Sequence, residues 1–229
     1  KTAVTSLILA ATQKRGISIQ PFKIGPDYID PSYHLHYSAK NSVNLDPWIM
    51  GRDHVVQAVG QFTKNSLGVA EGVMGLFDGS DPETDVGSTM EIARWLGWKI
   101  LLVVPCQNAG RSITAAIQGF VREAGGAKYF IGIILNRINS QSHAEYLCKA
   151  CNSQGISVLG ALPEIPALSW PERYLGLLPG LEQKLPEPEV LAELAEKHLE
   201  LDQLFNEISF PNQAKINIVK NNLQTRKRI

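Results

Sequence analysis

The chain has 229 residues, 44% of them hydrophobic, which is enough for one sizeable α/β core with a short appendage. Its 22 basic and 22 acidic residues cancel to a formal net charge of zero, so no global field recruits nucleic acid or an anionic membrane surface. Three sparse cysteines, no start that resembles a signal peptide, and apolar runs far shorter than the ~20 residues of a membrane span predict a cytoplasmic protein without membrane insertion.

Short β-branched runs alternate with amphipathic stretches along most of the chain, which predicts a doubly wound α/β fold with a mostly parallel sheet. In chain order, the pattern predicts helix 2–15, strand 17–24, helix 52–64, strand 66–71, helix 88–97, strand 99–104, helix 111–124, strand 129–135, helix 141–154 and strand 157–161. Gly16 is expected to end the first helix, and Ser88 or Thr89 to cap the helix that Gly97 ends. The strands 99–104 and 129–135 are apolar at nearly every position, as expected for strands covered on both faces.

Beyond Pro163 the predicted structure becomes irregular. Prolines punctuate a loop-rich segment, expected to wrap the sheet edge, at positions 166, 171, 179, 186 and 188. One last helix is predicted at about 188–200. From Asn206 the chain is polar and ends in Arg226-Lys-Arg-Ile229, which favours a solvated terminus over a nucleic-acid contact.

One loop places carboxylates and glycines at the end of an apolar strand. Glu71-Gly-Val-Met-Gly-Leu-Phe-Asp78 and Gly79 follow the apolar run Leu67-Gly-Val-Ala70. A carboxylate at the carboxyl end of a strand can hold Mg²⁺, and glycines let a ligand approach the backbone. We therefore predict an active-site loop here.

A second loop concentrates chemistry after another apolar segment. Residues 20–31 place Lys23, Asp27, Tyr28 and Asp30 within eight positions. A solvated surface loop rarely needs this mixture, so the loop is a second candidate for the active site.

Lys1 and Thr2 match the end of the phosphate-binding pattern G-x-x-x-x-G-K-[ST]. In that pattern the lysine reaches the terminal phosphates and the hydroxyl coordinates Mg²⁺ where the helix begins. Two residues are also explained by an arbitrary boundary, but the helix, strand and acidic loops that follow favour the phosphate-binding interpretation.

The histidines and cysteines do not form a recognisable site. His34 and His36 flank the acidic loop, but without a matching cluster they are interpreted as packed or solvent-exposed residues. Cys148-x-x-Cys151 lies in a predicted helix without a second pair for zinc, so these cysteines are interpreted as structural.

Five motifs carry a family resemblance, in order along residues 1–205. They are Gln20-Pro-Phe-Lys-Ile-Gly-Pro-Asp-Tyr-Ile-Asp-Pro31, Asn44-Leu-Asp-Pro-Trp48, Glu71 to Gly79, Ile134-Leu-Asn-Arg137 and Leu159-Gly-Ala-Leu-Pro163. Together they resemble the cobyrinic acid a,c-diamide synthase family, whose core is similar to dethiobiotin synthetase and is P-loop NTPase-like. The family usually adds a glutaminase domain. The resemblance therefore implies a synthetase domain over 1–205, without the first strand and P-loop glycines, and a linker or truncated start of a glutaminase domain over 206–229. The chain as given is expected to bind ATP poorly.

The resemblance implies a reaction as well as a fold. It implies ATP- and Mg²⁺-dependent amidation of the a and c acetate carboxylates of a corrinoid substrate, cobyrinic acid, through acyl phosphates. Glutamine would supply ammonia through a glutaminase domain or subunit, and a homodimer is a compatible assembly. Hydrogenobyrinic acid and nickel-sirohydrochlorin remain alternative substrates. An alternative from another class is a nucleotide-dependent switch resembling the partitioning and division-site ATPases.

The resemblance also implies roles for individual residues. For ATP they are Lys1 and Thr2 at the phosphates, Asn136 at the adenine, and Leu162 and Pro163 closing on the base; for Mg²⁺ they are Thr2, Asp27 and Glu71. The implied catalytic residues are Lys23, Asp27, Tyr28, Asp30 and Asp78, and the implied substrate residues are Asp46, Trp48, Arg111 and Ser112. For Asp46 and Trp48, an ordinary turn and a core anchor are the alternative. One departure is that many relatives have an aspartate after the strand Leu101–Val104, where this chain has Pro105-Cys-Gln-Asn-Ala-Gly-Arg-Ser112.

Overall fold

The structure is a computed structural model that describes residues 1–170 and 184–208, together with the backbone of 172–173 and 176–177. The predicted loop-rich segment around positions 171 and 179, and the polar terminus beyond 208, lie outside the described residues.

Eight helices and eight strands are assigned within this part of the chain. The helices are α1 Thr2–Lys14, α2 Asp30–Ser38, α3 Pro47–Phe62, α4 Thr89–Leu96, α5 Ile113–Glu123, α6 Gln141–Asn152, α7 Pro188–His198 and α8 Leu201–Glu207. The strands are β1 Ile19–Ile24, β2 Val43–Leu45, β3 Leu67–Gly72, β4 Ile100–Pro105, β5 Phe130–Ile138 and β6 Val158–Pro163, with a two-residue antiparallel pair β7 Glu172–Arg173 and β8 Gly176–Leu177. The five predicted strands and six predicted helices are all present, whereas α2, α8, β2, β7 and β8 were not predicted.

The six longer strands form two three-stranded parallel sheets, in the orders β2-β1-β3 and β4-β5-β6. In the first sheet Ile24 is in register with Leu45 and Gly72, and in the second Asn136 is in register with Pro105 and Leu162. In each sheet, the carboxyl ends of the strands therefore lie at the same edge. The mostly parallel α/β fold is confirmed.

The strands β3 and β4 are less covered than expected. The prediction for 99–104 was a strand buried on both faces, but most of its positions are only half-buried. Within the described ranges β4 pairs with β5 alone and β3 with β1 alone, so each has one paired side.

Helix α1 holds the two sheets to a common core. Its buried apolar residues share one cluster with Leu67 of β3, Ile134 of β5 and Leu159 of β6. Helix α7 packs against α1, and Arg15 forms ion pairs with Glu196 and Asp202 at that contact. This packing holds α1, whose first residue is Thr2, against both sheets and α7.

The core also reaches past the predicted domain boundary at 205. Leu201 and Leu204 of α8 are buried in the same cluster, and Ile208 packs against it. Helix α8 continues to Glu207, so a described helix crosses the predicted boundary.

Local signals explain several helix ends. Ser88 accepts a hydrogen bond from the Glu91 backbone N–H at 3.2 Å, and Gly97 ends α4 with a left-handed φ of 64°, as predicted. Helix α3 begins at Pro47, well before the predicted start at 52, because Asp46 caps it. Gly51 interrupts the helix with a φ of 66°. Because of this break, the first turn does not continue the apolar periodicity of the rest of α3, and it was not predicted.

Among the helices of the described segments, none combines the length and the apolar character needed to cross a membrane.

Candidate active site

A buried lysine lies at the centre of an acidic cluster. Lys23, next to the last residue of β1, is 1% exposed. Its Nζ contacts a carboxylate oxygen of Asp30, and lies 3.4 Å from Asp27 Oδ2 and 3.5 Å from Glu71 Oε1. Glu71 is the neighbour of Lys23 in the register of β1 and β3, and Asp30 begins α2. The ends of two strands and the start of a helix thus bring together charges that each need a partner when buried.

Burial and charge pull the pKa values of this cluster in opposite directions. Burial lowers the pKa of Lys23, but the carboxylates of Glu71 and Asp30 more than compensate and raise it above its ordinary value. Burial and the Glu71 charge raise the pKa of Asp30. Burial also acts to raise the pKa of Glu71, but the hydrogen bond from His34 and the Lys23 charge overcome it and lower that pKa to about 2. At neutral pH the cluster therefore contains a charged Lys23 and an ionised Glu71.

Thr2 brings a hydroxyl to the same carboxylates. Its Oγ1 lies 3.0 Å from Glu71 Oε1 and 3.1 Å from Asp30 Oδ1. Asp27 pairs with Lys23 through Oδ2, and its Oδ1 accepts hydrogen bonds from the backbone N–H groups of Ile29 at 2.8 Å and Asp30 at 3.3 Å. Of the implied Mg²⁺ residues Thr2, Asp27 and Glu71, the structure groups Thr2 with Glu71, and it puts Asp30 where Asp27 was expected.

The oxygen atoms of Thr2, Asp30 and Glu71 are of the type that Mg²⁺ accepts. Within the residues described, no group of three or more His, Cys, Asp or Glu side chains is arranged as a ready-made metal site. This fits a cation such as Mg²⁺, which proteins often hold by one or two carboxylates while phosphate oxygens and water complete the shell.

A cavity of about 280 Å³ opens beside the cluster. All five residues implied for ATP line it, namely Lys1, Thr2, Asn136, Leu162 and Pro163. Asn136 and Leu162 face the same edge because β5 and β6 hold them in register. Thr2 belongs both to the cavity and to the acidic cluster, so the two form one continuous site.

The loop after β3 is closed by short polar contacts. Asp78 Oδ2 accepts from the Gly75 backbone N–H at 2.8 Å, and a Cβ atom at Gly75 would lie 2.6 Å from that oxygen. Lys1 Nζ donates to the carbonyl oxygens of Val73, at 3.2 Å, and Met74. Burial and the Lys23 charge lower the pKa of Lys1. Asp78 therefore stabilises the conformation of this loop, and the Lys1 side chain binds to its backbone.

Exposed apolar side chains follow the carboxyl ends of all three strands of the first sheet. Tyr28 is 79% exposed, Trp48 81% and Met74 60%. Trp48 follows Asp46, which accepts from the Trp48 and Ile49 backbone N–H groups at 2.9 and 3.1 Å as the cap of α3. Asp46 therefore does make a turn, whereas the alternative of Trp48 as a core anchor is wrong.

Arg111 and Ser112 lie at the start of α5 in the loop that departs from the family pattern. Both are exposed, and neither lines the cavity. His143 holds this loop through a contact of 2.7 Å between its Nε2 and the Ala109 carbonyl oxygen. Their implied substrate role therefore rests on the resemblance.

Comparison with known proteins agrees with these observations. A family model described as an AAA domain matches residues 45–172, more than half of the chain, including Glu71 and Asn136. The chain belongs to this AAA domain family. It is 40% identical over 210 residues to hydrogenobyrinate a,c-diamide synthase from Rhodobacter capsulatus, covering 90% of this chain and 48% of the relative. It is 36% identical over 222 residues to cobyrinate a,c-diamide synthase from Priestia megaterium, covering 95% and 48%, and 40% identical over 183 residues to the protein of that name from a Synechococcus strain, covering 80% and 40%.

These relatives confirm the resemblance to a,c-diamide synthases that the five motifs indicated. The chain spans about half the length of these relatives.

Two residues of the site, His34 and Trp170, were not predicted from the sequence. His34 is fully buried, in agreement with the packing interpretation, but its Nε2 also lies 2.9 Å from Glu71 Oε2, which places it in the acidic cluster. The signal was its spacing of one helical turn from Asp30, visible only once α2 is recognised. Trp170 lines the cavity, stacks on Tyr33 with ring centroids 4.5 Å apart, and has a buried Nε1 without a hydrogen-bond partner among the described residues.

The other histidine and the cysteines have structural surroundings. His36 Nε2 lies 3.3 Å from the Pro186 carbonyl oxygen, away from Glu71. Cys106 and Cys151 are buried in one apolar cluster against which Cys148 packs, and all three are free thiols.

The lowered pKa of Glu71 predicts a pH-dependent stability. A folded-state value of about 2 against an ordinary 4.5 means that Glu71 stabilises the fold fully above 4.5 and loses that contribution as the pH falls toward 2. Asp30 acts in the opposite sense because its pKa is raised. We expect Glu71→Gln to lower the melting temperature more at about pH 7 than at about pH 3, as measured by circular dichroism. An equal difference at both pH values would contradict this assignment.

Proposed function

We propose that this chain is the amidating half of an a,c-diamide synthase, which uses ATP and Mg²⁺ to activate the a and c acetate carboxylates of a corrinoid. The observation that carries the proposal is the position of Thr2, which joins a cavity lined by all the implied nucleotide residues to the acidic cluster around Lys23. The matched relatives are named for cobyrinate and for hydrogenobyrinate, so either macrocycle is compatible.

The cavity has the chemistry that a nucleotide needs. Lys1 and Thr2 lie at the start of α1, where the helix dipole and free backbone N–H groups favour phosphate. The Asn136 amide can both donate to and accept from adenine, and Leu162 with Pro163 offers an apolar cover for the base. Trp170 also lines the cavity, and its buried Nε1–H has no hydrogen-bond partner among the described residues.

Thr2, Glu71 and Asp30 would hold Mg²⁺ through their oxygen atoms. When bound, Mg²⁺ would neutralise charge on the phosphates and so favour phosphoryl transfer to an anion. Lys23 contributes a fixed positive charge to the same place, and its burial keeps that charge from being screened by water.

The chemistry requires activation before amidation, because oxide is a poor leaving group from a carboxylate. A substrate carboxylate oxygen attacks the γ-phosphorus, the bond to the bridging oxygen breaks, and ADP leaves. Ammonia then attacks the acyl carbon, the acyl C–O bond breaks, and phosphate leaves with that oxygen while the nitrogen loses a proton to solvent. Lys23 and Lys1 would stabilise the gathering negative charge, and Tyr28, Asp27 and Asp30 would orient the incoming group.

Three exposed apolar side chains offer a surface for a large flat ligand. Tyr28, Trp48 and Met74 follow the carboxyl ends of β1, β2 and β3, and large exposed apolar side chains commonly mark binding surfaces. Ammonia would come from glutamine through a glutaminase domain or subunit. The predicted 206–229 segment is the expected linker to, or start of, such a domain.

Oxygen transfer tests the acyl phosphate directly. The full-length gene product is given MgATP, ammonium and a corrinoid with ¹⁸O-labelled carboxylates, and released phosphate is analysed by mass spectrometry. The proposal predicts that each amide formed moves a labelled oxygen into phosphate. Amide formation with unlabelled phosphate would overturn it.

Removing Trp48 tests the macrocycle surface. We expect Trp48→Ala to raise the KM for the corrinoid about tenfold, equivalent to ~1.4 kcal/mol, because apolar contact is lost equally in ground and transition states. The kcat should be nearly unchanged. Tyr146→Ala, which removes an exposed aromatic side chain from α6, is the matched control. An unchanged KM in Trp48→Ala would remove this residue from the substrate surface.

A further inference from the structure

We propose that His34 is a positioning residue that fixes the Glu71 carboxylate, so that one of its oxygens is committed to His34 and the other is presented toward Thr2. The inference rests on the proposed function, in which Glu71 holds Mg²⁺ with Thr2. It assigns a role to a residue outside every predicted site group.

Both ring nitrogens of His34 are engaged in a fully buried environment. Nε2 lies 2.9 Å from Glu71 Oε2, and Nδ1 lies 3.0 Å from Ser42 Oγ. Because a carboxylate only accepts, Nε2 donates to Glu71, and Ser42 holds the ring from the other side. The ring orientation is therefore fixed at two points.

The two oxygens of Glu71 have separate partners. Oε2 contacts His34, whereas Oε1 lies 3.0 Å from Thr2 Oγ1 and 3.5 Å from Lys23 Nζ. A free carboxylate beside a buried ammonium group would turn toward that charge, because the attraction is strong away from water. The contact with His34 opposes this rotation and leaves Oε1 beside the Thr2 hydroxyl.

Helix α2 is built to deliver this contact. Asp30 and His34 are one helical turn apart, so both reach the acidic cluster from one face of the helix. The helix ends at Ala39 with a left-handed φ of 54°, and Ser38 Oγ donates to the His34 carbonyl oxygen at 2.6 Å. This reversal returns the chain to Ser42, which then pairs with the His34 ring.

Partners in the outer shell of a metal site commonly fix the ligand orientation, and their loss costs ~10–100-fold in metal affinity. A histidine that merely fills the core would affect stability alone. Two amide substitutions of different length at His34 distinguish a positioning role from a packing role. In Gln the terminal nitrogen is at the position of Nε2, whereas in Asn it is at the position of Nδ1.

The experiment compares His34→Gln with His34→Asn in the full-length gene product. Mn²⁺ affinity with ATP present is measured by electron paramagnetic resonance, and melting without metal measures stability. We expect H34Q to bind Mn²⁺ nearly as wild type, and H34N to lose ~10–100-fold because its amide reaches Ser42 but not Glu71. His36→Asn, on the same helix but directed away from Glu71, is the matched control and should bind as wild type.

The outcomes separate this inference from the proposed function. If Glu71→Gln weakens Mn²⁺ binding while H34Q and H34N bind equally well, Glu71 is a metal residue and the positioning role of His34 is overturned. Equal losses in H34Q and H34N that follow their melting temperatures would also overturn it, in favour of a packing role. If wild type does not bind Mn²⁺, or Glu71→Gln binds it equally, the proposed function fails and this inference fails with it.

Discussion

Replacing Glu71 by Gln is expected to lower corrinoid-dependent ADP release by about 10³-fold, equivalent to ~4 kcal/mol of transition-state stabilisation. The change removes one negative charge, while the amide oxygen can still accept from His34 and the side-chain volume is kept. Glu71 Oε1 lies 3.0 Å from Thr2 Oγ1 and 3.5 Å from Lys23 Nζ, so its charge is the one we expect the cation to need. The measurement is the initial rate of ADP release by a coupled assay with saturating MgATP.

The control for this variant must show that the fold is retained. We expect Glu71→Gln to melt only a few degrees below wild type and to keep its circular dichroism spectrum. Glu145→Gln, an exposed glutamate on α6, makes the same chemical change far from the cluster and should leave the rate unchanged. A Glu71→Gln enzyme that releases ADP at the wild-type rate would contradict the role of this carboxylate.

Replacing Lys23 by Met is expected to destabilise the fold by about 3–5 kcal/mol and to abolish activity, because it leaves the surrounding carboxylates without their cation. Asp27, Asp30 and Glu71 all lie within ion-pair distance of the Lys23 Nζ. The expected fall in melting temperature at neutral pH is roughly 10 °C. The loss should shrink as the pH falls, because protonation removes the repulsion between the carboxylates.

A second substitution makes this prediction specific to charge. Adding Asp30→Asn to Lys23→Met should restore part of the lost stability, since it removes one of the unpaired carboxylates. Lys40→Met, at a half-buried lysine that donates to Ser18 Oγ, is the matched control and should change the melting temperature little. If Lys23→Met melts at the wild-type temperature at neutral pH, the charge balance described for this cluster is wrong.

The strand pattern allowed much of the site to be predicted from the sequence. Runs such as 99–104 and 129–135 are apolar enough to be recognised as strands without any partner. The Lys23 and Glu71 loops were each predicted as active-site loops, and the register of β1 and β3 brings these two residues side by side. The nucleotide residues came from the family motifs, and all of them line one cavity.

What the sequence did not reveal depends on short or irregular elements. Strand β2 has only three residues, too few for an apolar pattern to be recognised. It leads directly into the first turn of α3, which carries Trp48. Helix α2 is short, and its mixture of tyrosines and histidines gives a weak amphipathic pattern, so Asp30 was read as a loop residue and His34 as ordinary packing. The preference for Asp30 over Asp27 beside Thr2 follows from the same helix, since its first turn uses Asp27 to accept backbone N–H groups.

The most direct measurement follows ADP release and amide formation together in the full-length gene product. The protein is supplied with MgATP, ammonium and either cobyrinic or hydrogenobyrinic acid, and the products are analysed by mass spectrometry. The account predicts that ADP appears only when the macrocycle is present and that two successive amides form. ATP turnover that is independent of the macrocycle, or ADP release without any amide, would contradict it.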